Sequence, residues 1–214
     1  MKKNEQELTY EKTEDEKRQG ISRRGFLKGA GLTTAGTAMV STGVLGLNQP
    51  PVLADKTIGP EAMTIRLKVN GHLRKVNVEP RTTLAQALRN HLQLTGTKVV
   101  CDRGACSACT VWVDGLPVNA CMTLALDVGE KEVTTVEGLM KDGELHPVQQ
   151  SFIDHDASQC GYCTPGMIMS TAHLLEKNPN PTMEDVKHAV RGNVCRCGTH
   201  PHVFKATMEA AKKM

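Results

Sequence analysis

The stretch Cys101-Asp-Arg-Gly-Ala-Cys106-Ser-Ala-Cys109 is the most informative part of this chain, because it places three cysteines on one short loop. Cys121 adds a more distant fourth member, so the set reads C-x4-C-x2-C and then a further cysteine. The residues between the cysteines are mostly small. They suit a backbone that wraps closely around a group and leaves amide N–H groups free to point at sulfur.

This spacing is typical of plant-type [2Fe–2S] sites, in which four thiolates hold two irons. A zinc site on Cys106 and Cys109 is an alternative, but Cys101 would then be superfluous. A disulfide is a second alternative, although cysteines crowded on one loop rarely reach the geometry that a disulfide needs. The sequence therefore predicts one cluster bound by Cys101, Cys106, Cys109 and Cys121.

The other four cysteines form an unlike set, with Cys160 and Cys163 in a C-x2-C pattern and Cys195 and Cys197 in a C-x-C pattern. Side chains two residues apart can reach one metal cluster from a loop, but they seldom form an unstrained disulfide with each other. The two sets leave none of the eight cysteines over. This indicates two clusters and a protein that carries electrons one at a time.

The first set lies within alternating apolar and polar segments that predict a small sheet. Met63 to Val69 and His72 to Val78 flank Asn70-Gly71, a strong two-residue hairpin turn. We expect Leu73, Val76 and Val78 to point inward. Thr83 predicts the start of a helix that continues to Leu92. A second hairpin around Asp114-Gly115 and a strand from Glu132 to Val136 complete the sheet.

The second set lies between four predicted helices. The first starts at Pro147, and the second starts at Thr164-Pro165, with Thr164 as the capping residue. Thr182 and Asp185 predict a capping box for the third, and the fourth begins near His202. The fold class is therefore α+β, with a ferredoxin-like [2Fe–2S] domain over residues 63–138 and a four-helix [2Fe–2S] domain over residues 139–214.

The N-terminal segment predicts export. Ser22-Arg23-Arg24-Gly25-Phe26-Leu27-Lys28 is typical of a twin-arginine signal, and a mildly apolar run follows it to Leu47. Val52-Leu53-Ala54 predicts cleavage after Ala54 and hence a periplasmic protein, with residues 55–62 as a linker. An uncleaved membrane anchor is the alternative. Because this route typically carries folded proteins, clusters loaded in the cytoplasm would cross already bound to their thiolates.

Charge and composition exclude several other functions. The leader through Ala54 holds eight Lys and Arg and six Asp and Glu, which leaves 18 basic and 17 acidic residues of the 26 and 23 in the whole chain. No basic stripe and few aromatic residues remain, so a nucleic-acid partner is not expected. No nucleophile–base arrangement, phosphate-binding loop or pair of catalytic carboxylates is apparent. The chain alone is therefore not expected to carry out substrate chemistry.

Taken together, three motifs resemble the iron–sulfur subunit of the xanthine oxidase family of molybdenum hydroxylases. They are Cys101-x4-Cys106-x2-Cys109-Thr-Val, Gln159-Cys-Gly-Tyr-Cys-Thr-Pro-Gly166 and Cys195-Arg-Cys-Gly198. The resemblance runs from about Met63 to the C-terminus. With the leader, the chain is most similar to exported aldehyde oxidoreductase small subunits. Ser107 departs from the family, which often has glycine there, and its hydroxyl is expected to shift the potential of the first cluster.

The resemblance implies a β-grasp domain followed by a helical domain, each with one [2Fe–2S] cluster. It also implies a large partner subunit that carries molybdopterin and molybdenum, with Gln159 and Cys197 at positions that approach the pterin. Electrons would pass from molybdenum to the Cys160 set, then to the Cys101 set, and then to an FAD subunit or a cytochrome c. The twin-arginine translocase is a further expected partner.

Two other functions remain open from the residues. One is a free-standing exported carrier, although such a carrier needs only the first domain. The other is a binding module stabilised by zinc or disulfides.

Overall fold

The computed structural model describes residues 59–214. The predicted leader, its cleavage after Ala54 and most of the predicted linker lie outside these residues. Within residues 59–214, no helix is both long enough and apolar enough to cross a lipid bilayer.

Five strands form one mixed sheet in the order β2-β1-β5-β3-β4. β1 pairs antiparallel with β2 and parallel with β5, while β3 pairs antiparallel with both β5 and β4. The predicted hairpins and the closing strand are confirmed. The strands span Met63–Val69 (β1), His72–Val78 (β2), Thr110–Val113 (β3), Leu116–Asn119 (β4) and Glu132–Thr134 (β5).

Two short helices pack with this sheet. Thr83 caps helix α1 (Leu84–Gln86) through a capping box with Gln86, and a single π-helical turn (Ala87–His91) continues it, so the predicted helix is confirmed. Leu84 and Leu88 are fully buried in the core of the sheet domain. Helix α2 spans Ala125–Val128, and a 3-10 turn at Val136–Leu139 leads out of the sheet domain.

Four helices follow, as predicted. They are α3 (Pro147–Asp154), α4 (Thr164–Lys177), α5 (Met183–Ala189) and α6 (His200–Ala211). The capping box of Thr182 and Asp185 is confirmed at the start of α5. The α+β fold class, with a ferredoxin-like sheet domain followed by a helical domain, is therefore confirmed.

Two local predictions were wrong. Leu73 is 64% exposed, because inward positions on β2 recur every second residue and the burial of Val76 and Val78 puts Leu73 on the outer face. Thr164 does not cap α4. The capping position belongs to Cys163, and the Thr164 hydroxyl donates to the Ser158 hydroxyl at 3.0 Å.

Trp112 joins the sheet domain to the helices. Val111 points into the core of the sheet domain, whereas Trp112 points to the other face and packs in the core of the helical domain. Its indole N–H donates a buried hydrogen bond of 3.0 Å to the carbonyl of Met169 in α4. Its ring also meets His173 edge-on, with 5.9 Å between the ring centroids. This contact brings α4 against β3, and the loops that carry the two cysteine sets approach each other.

Candidate metal centres

The first cysteine loop runs between the π-helical turn and β3, and its backbone is left-handed at three positions. Asp102, Gly104 and Ser107 have positive φ values of 51°, 72° and 52°. Alternation between right-handed and left-handed residues turns successive N–H groups toward one side and forms a concavity that favours negative charge. A cluster with four thiolates carries negative charge, so the shape of this loop fits it.

Two backbone N–H groups of this loop already point at sulfur. Gly104 N donates to Cys121 Sγ and Ala105 N donates to Cys101 Sγ, both at 3.3 Å. A Cβ at position 104 would lie 2.9 Å from the Met122 side chain. Glycine therefore supplies both the left-handed backbone and the room that this N–H needs. Hydrogen bonds of this kind to sulfur tune the potential of a bound cluster.

The four thiols of the first set meet in pairs. Cys101 contacts Cys106, and the pKa of Cys101 is lowered to about 7 by the N–H of Arg103 and then by Cys106. Cys109 contacts Cys121, and burial raises the pKa of Cys109 to about 12. Iron removes the proton from each coordinating thiol, so bound iron would offset the cost of burying these thiolates.

The second set meets in pairs as well. Cys160 lies on the loop between α3 and α4 and contacts Cys197. A hydrogen bond with the Cys160 backbone lowers the pKa of Cys197, but the Cys160 side chain and burial together outweigh it, so the pKa is raised overall. Cys163, at the start of α4, contacts Cys195, and burial raises the pKa of Cys163 to about 11. For Cys195, burial raises the pKa, but hydrogen bonds from the Thr199 hydroxyl and backbone outweigh it and bring the pKa to about 6. The Thr199 hydroxyl lies 3.2 Å from this sulfur.

The pairing of the thiols distinguishes between a disulfide, a single metal ion and a [2Fe–2S] cluster. All eight are free thiols. Among residues 59–214, no three His, Cys, Asp or Glu side chains converge closely enough to hold a single metal ion. In a [2Fe–2S] cluster each iron takes two protein ligands, and two pairs of thiols in each set match that need.

The remaining predicted site residues lie at one edge of the helical domain. Gln159 is exposed next to the exposed Cys160, and Cys197 is partly buried. Tyr162, between Cys160 and Cys163, is 59% exposed. The Ser107 hydroxyl faces Gly192 and, within the part of the chain that the structure describes, donates no hydrogen bond to a cysteine sulfur. Its effect on the cluster potential stays a prediction.

A direct seam connects the two cysteine loops. Val194 N donates to the carbonyl of Cys106 at 3.1 Å, and Asn193 Nδ2 donates to the carbonyl of Ser107 at 3.1 Å. Gly166 lies against the same segment, because a Cβ there would be 2.1 Å from the Ser107 oxygen. Sequence reasoning missed the role of these residues. The available signal was their position, since Gly166 follows Cys163 by three residues and Asn193 precedes Cys195 by two.

Comparison with known proteins identifies two matching families. Residues 67–134 match the 2Fe-2S iron-sulfur cluster binding domain, and residues 135–208 match the [2Fe-2S] binding domain. The first cysteine set lies within the first match and the second set lies within the second match.

The chain is also similar to curated proteins over most of their own length. The chain is 38% identical to the aldehyde oxidoreductase iron-sulfur-binding subunit PaoA of Escherichia coli over 206 residues, which covers 89% of this chain and 88% of that protein. It is 45% identical to the nicotine 6-hydroxylase small subunit of Paenarthrobacter nicotinovorans over 150 residues, which covers 70% of this chain and 90% of the relative.

Solved structures agree with these matches. Quinoline 2-oxidoreductase from Pseudomonas putida 86 matches with a TM-score of 0.68 and 40% identity, covering 71% of this chain and 95% of that chain. The aldehyde oxidoreductase from Desulfovibrio gigas matches with a TM-score of 0.65 and 38% identity, covering 70% of this chain but only 17% of that longer chain.

Proposed function

Because the chain belongs to the [2Fe–2S] small subunits of the molybdenum hydroxylase family, we propose that it serves an exported aldehyde or N-heterocycle oxidoreductase. It is an iron–sulfur electron-transfer subunit with two [2Fe–2S] clusters, and a large partner subunit carries the molybdopterin. Substrate chemistry takes place on that partner, so this chain takes part in the enzyme only by moving electrons.

We assign the ligands from the pairing of the thiols. One iron of the first cluster is held by Cys101 and Cys106, and the other by Cys109 and Cys121. In the second cluster one iron is held by Cys160 and Cys197, and the other by Cys163 and Cys195. The sheet domain (residues 63–138) carries the first cluster and the helical domain (residues 139–214) carries the second.

We infer the route of the electrons from the part of each cluster site that is exposed. Gln159 and Cys197 lie at the exposed edge of the second site, which is where we place the pterin of the large subunit. Cys101 is the most exposed ligand of the first site, since its three partners are buried. Electrons therefore enter at the second cluster, cross the seam between the loops, and leave near Cys101 to an FAD subunit or a cytochrome c.

The observation that carries this proposal is the direct seam between the two cysteine loops. A carrier that used only the first cluster would have no need of a second cysteine loop hydrogen-bonded to it. A free-standing carrier is the competing function.

Purification of the native protein separates these two functions. We expect this chain to co-elute with a large molybdenum-containing chain, with iron in both clusters and molybdenum in the same fraction. Elution of the iron-loaded chain alone, at the size of a monomer, would instead support the free-standing carrier.

Export is the second part of the proposal, by the twin-arginine translocase to the periplasm with cleavage after Ala54. The arginine pair within Ser22 to Lys28, the mildly apolar run that follows it and the small residues at Val52 and Ala54 support this proposal.

We expect the combined substitution of Arg23→Lys and Arg24→Lys to trap uncleaved precursor in the cytoplasm, because the translocase reads the arginine pair. Fractionation and immunoblotting measure the distribution. Arg18→Lys, which changes an arginine outside the pair, should be exported normally. Normal export of the double variant would contradict the assignment.

A further inference from the structure

Asn193 is a buried polar residue that forms hydrogen bonds with both domains. It is 4% exposed, and three of its polar groups are engaged. Its backbone N–H donates to Val190 O at 2.9 Å, its carbonyl lies 3.1 Å from His200 Nε2, and its side-chain Nδ2 donates to Ser107 O. The first two contacts fix Asn193 within the helical domain. The third reaches across to the sheet domain.

Ser107, which accepts this hydrogen bond, has an unfavourable backbone conformation. Ser107 has a φ of 52°, a left-handed conformation that costs energy for residues other than glycine. Its carbonyl also accepts from the Thr110 hydroxyl at 2.8 Å. Asn193 is therefore the contact that ties this strained peptide to the other domain rather than to its own strand.

The Ser107 peptide lies next to a second contact between the two loops. Ser107 follows Cys106, and Val194 follows Asn193, so the two hydrogen bonds across the seam are adjacent in both segments. When Asn193 holds Ser107, the Cys106 carbonyl meets the Val194 N–H at 3.1 Å. A short route then runs from Cys106 through one hydrogen bond and the Val194 backbone to Cys195.

We propose that Asn193 is a positioning residue for electron transfer between the two clusters. This inference rests on the proposed function. In the step concerned, one electron leaves the reduced second cluster and one arrives at the oxidised first cluster, with no covalent bond made or broken. Asn193 touches neither cluster and acts by keeping the two ligand-bearing loops in contact.

The test uses the whole complex and the Asn193→Ala variant. After a flash reduces the complex by one electron, we expect redistribution between the clusters to slow, because loss of the Asn193 contact loosens the hydrogen bond between Cys106 and Val194. The spin–spin interaction between the two fully reduced clusters, measured by EPR, should weaken as well. Iron content should stay that of the unchanged protein.

Gln149→Ala is the matched control. The Gln149 carboxamide, on α3, also donates to a backbone carbonyl, that of Val136, at 2.8 Å. It accepts from the His146 N–H at 3.0 Å as well, and it forms no hydrogen bond with either cysteine loop. The Gln149→Ala variant should lose at least as much stability as Asn193→Ala, while both the rate and the spin–spin interaction stay unchanged. Asn193→Asp provides a second variant of the same shape that replaces the N–H donor by an acceptor, and it should slow the step too.

Three results would overturn the inference. One is an unchanged rate and spin–spin interaction in both Asn193 variants with both clusters present. Another is equal slowing in Gln149→Ala. The third is loss of a cluster from both Asn193 variants, which would make this residue a structural one. Absence of both EPR signals from the unchanged protein would instead refute the proposed function, so the two failures are distinguishable.

Discussion

A Cys101→Ser variant will lose half of its iron and one of its two EPR signals, while the other signal and the molybdenum of the complex remain. The unchanged protein should contain iron with acid-labile sulfide and show two distinguishable signals after reduction. Cys101 sits at the edge of its set, where backbone N–H groups lower the pKa of its thiol. Its removal leaves one iron of the first cluster with a single protein ligand, Cys106, so that cluster should not assemble.

We expect Cys101→Ser to abolish electron transfer through the complex as well. The electron acceptor should no longer be reduced, because the first cluster lies between the second cluster and the exit. Reduction of the second cluster by substrate should persist. Iron analysis, EPR and acceptor reduction measure these three effects.

Arg103→Ser is the control for this substitution. It changes an exposed side chain on the same loop, while the N–H that Arg103 offers to Cys101 belongs to the backbone and is kept. Both signals should survive in this variant. If both signals also survive in Cys101→Ser, Cys101 is not a ligand and the assignment of the first set is wrong.

A Gly166→Ala variant will be destabilised, although the same change in most helices stabilises the helix by about 1 kcal/mol. The new Cβ would lie 2.1 Å from the Ser107 carbonyl oxygen and 3.0 Å from Ala108 Cα. Both obstacles are backbone atoms of the first cysteine loop, so neither can rotate away. Overpacking of this kind costs about 3 kcal/mol at the upper end of the usual range.

The measurable result is a fall of roughly ten degrees in the midpoint of thermal unfolding. We also expect slower electron transfer between the clusters, because relief of the clash must move α4 away from the first cysteine loop. Circular dichroism measures the loss of helices and strands on heating, and the absorbance of the clusters measures their release.

Gly192→Ala is the matched control, since it adds the same methyl group at the same seam. There the added Cβ would meet only the Ser107 hydroxyl, at 3.1 Å, and a hydroxyl can rotate. This variant should stay within about 0.5 kcal/mol of the unchanged protein. Equal stability of the two variants would mean that the seam is looser than the structure indicates.

Much of the fold could be predicted because its signals are local. The turn at Asn70-Gly71, the helix cap at Thr83 and the capping box of Thr182 involve residues within a few positions of each other, and the structure contains all three. The two wrong predictions concern direction rather than existence. The sequence does not show which face of a strand an apolar residue such as Leu73 occupies. A threonine such as Thr164 can form its hydrogen bond with a neighbouring side chain instead of capping a helix.

The presence of two [2Fe–2S] clusters could be predicted from the residues alone, because the spacing of cysteines along a loop limits which sulfurs can reach one cluster. The sequence could not determine how the two cluster sites are joined. Trp112 meets Met169 across 57 residues, and Asn193 meets Ser107 across 86. Contacts at such separations produce no repeating pattern of residues in the sequence, because they depend on how the two domains dock. The backbone contact between the two cysteine loops, from Val194 N to the Cys106 carbonyl, therefore became visible only in the folded chain.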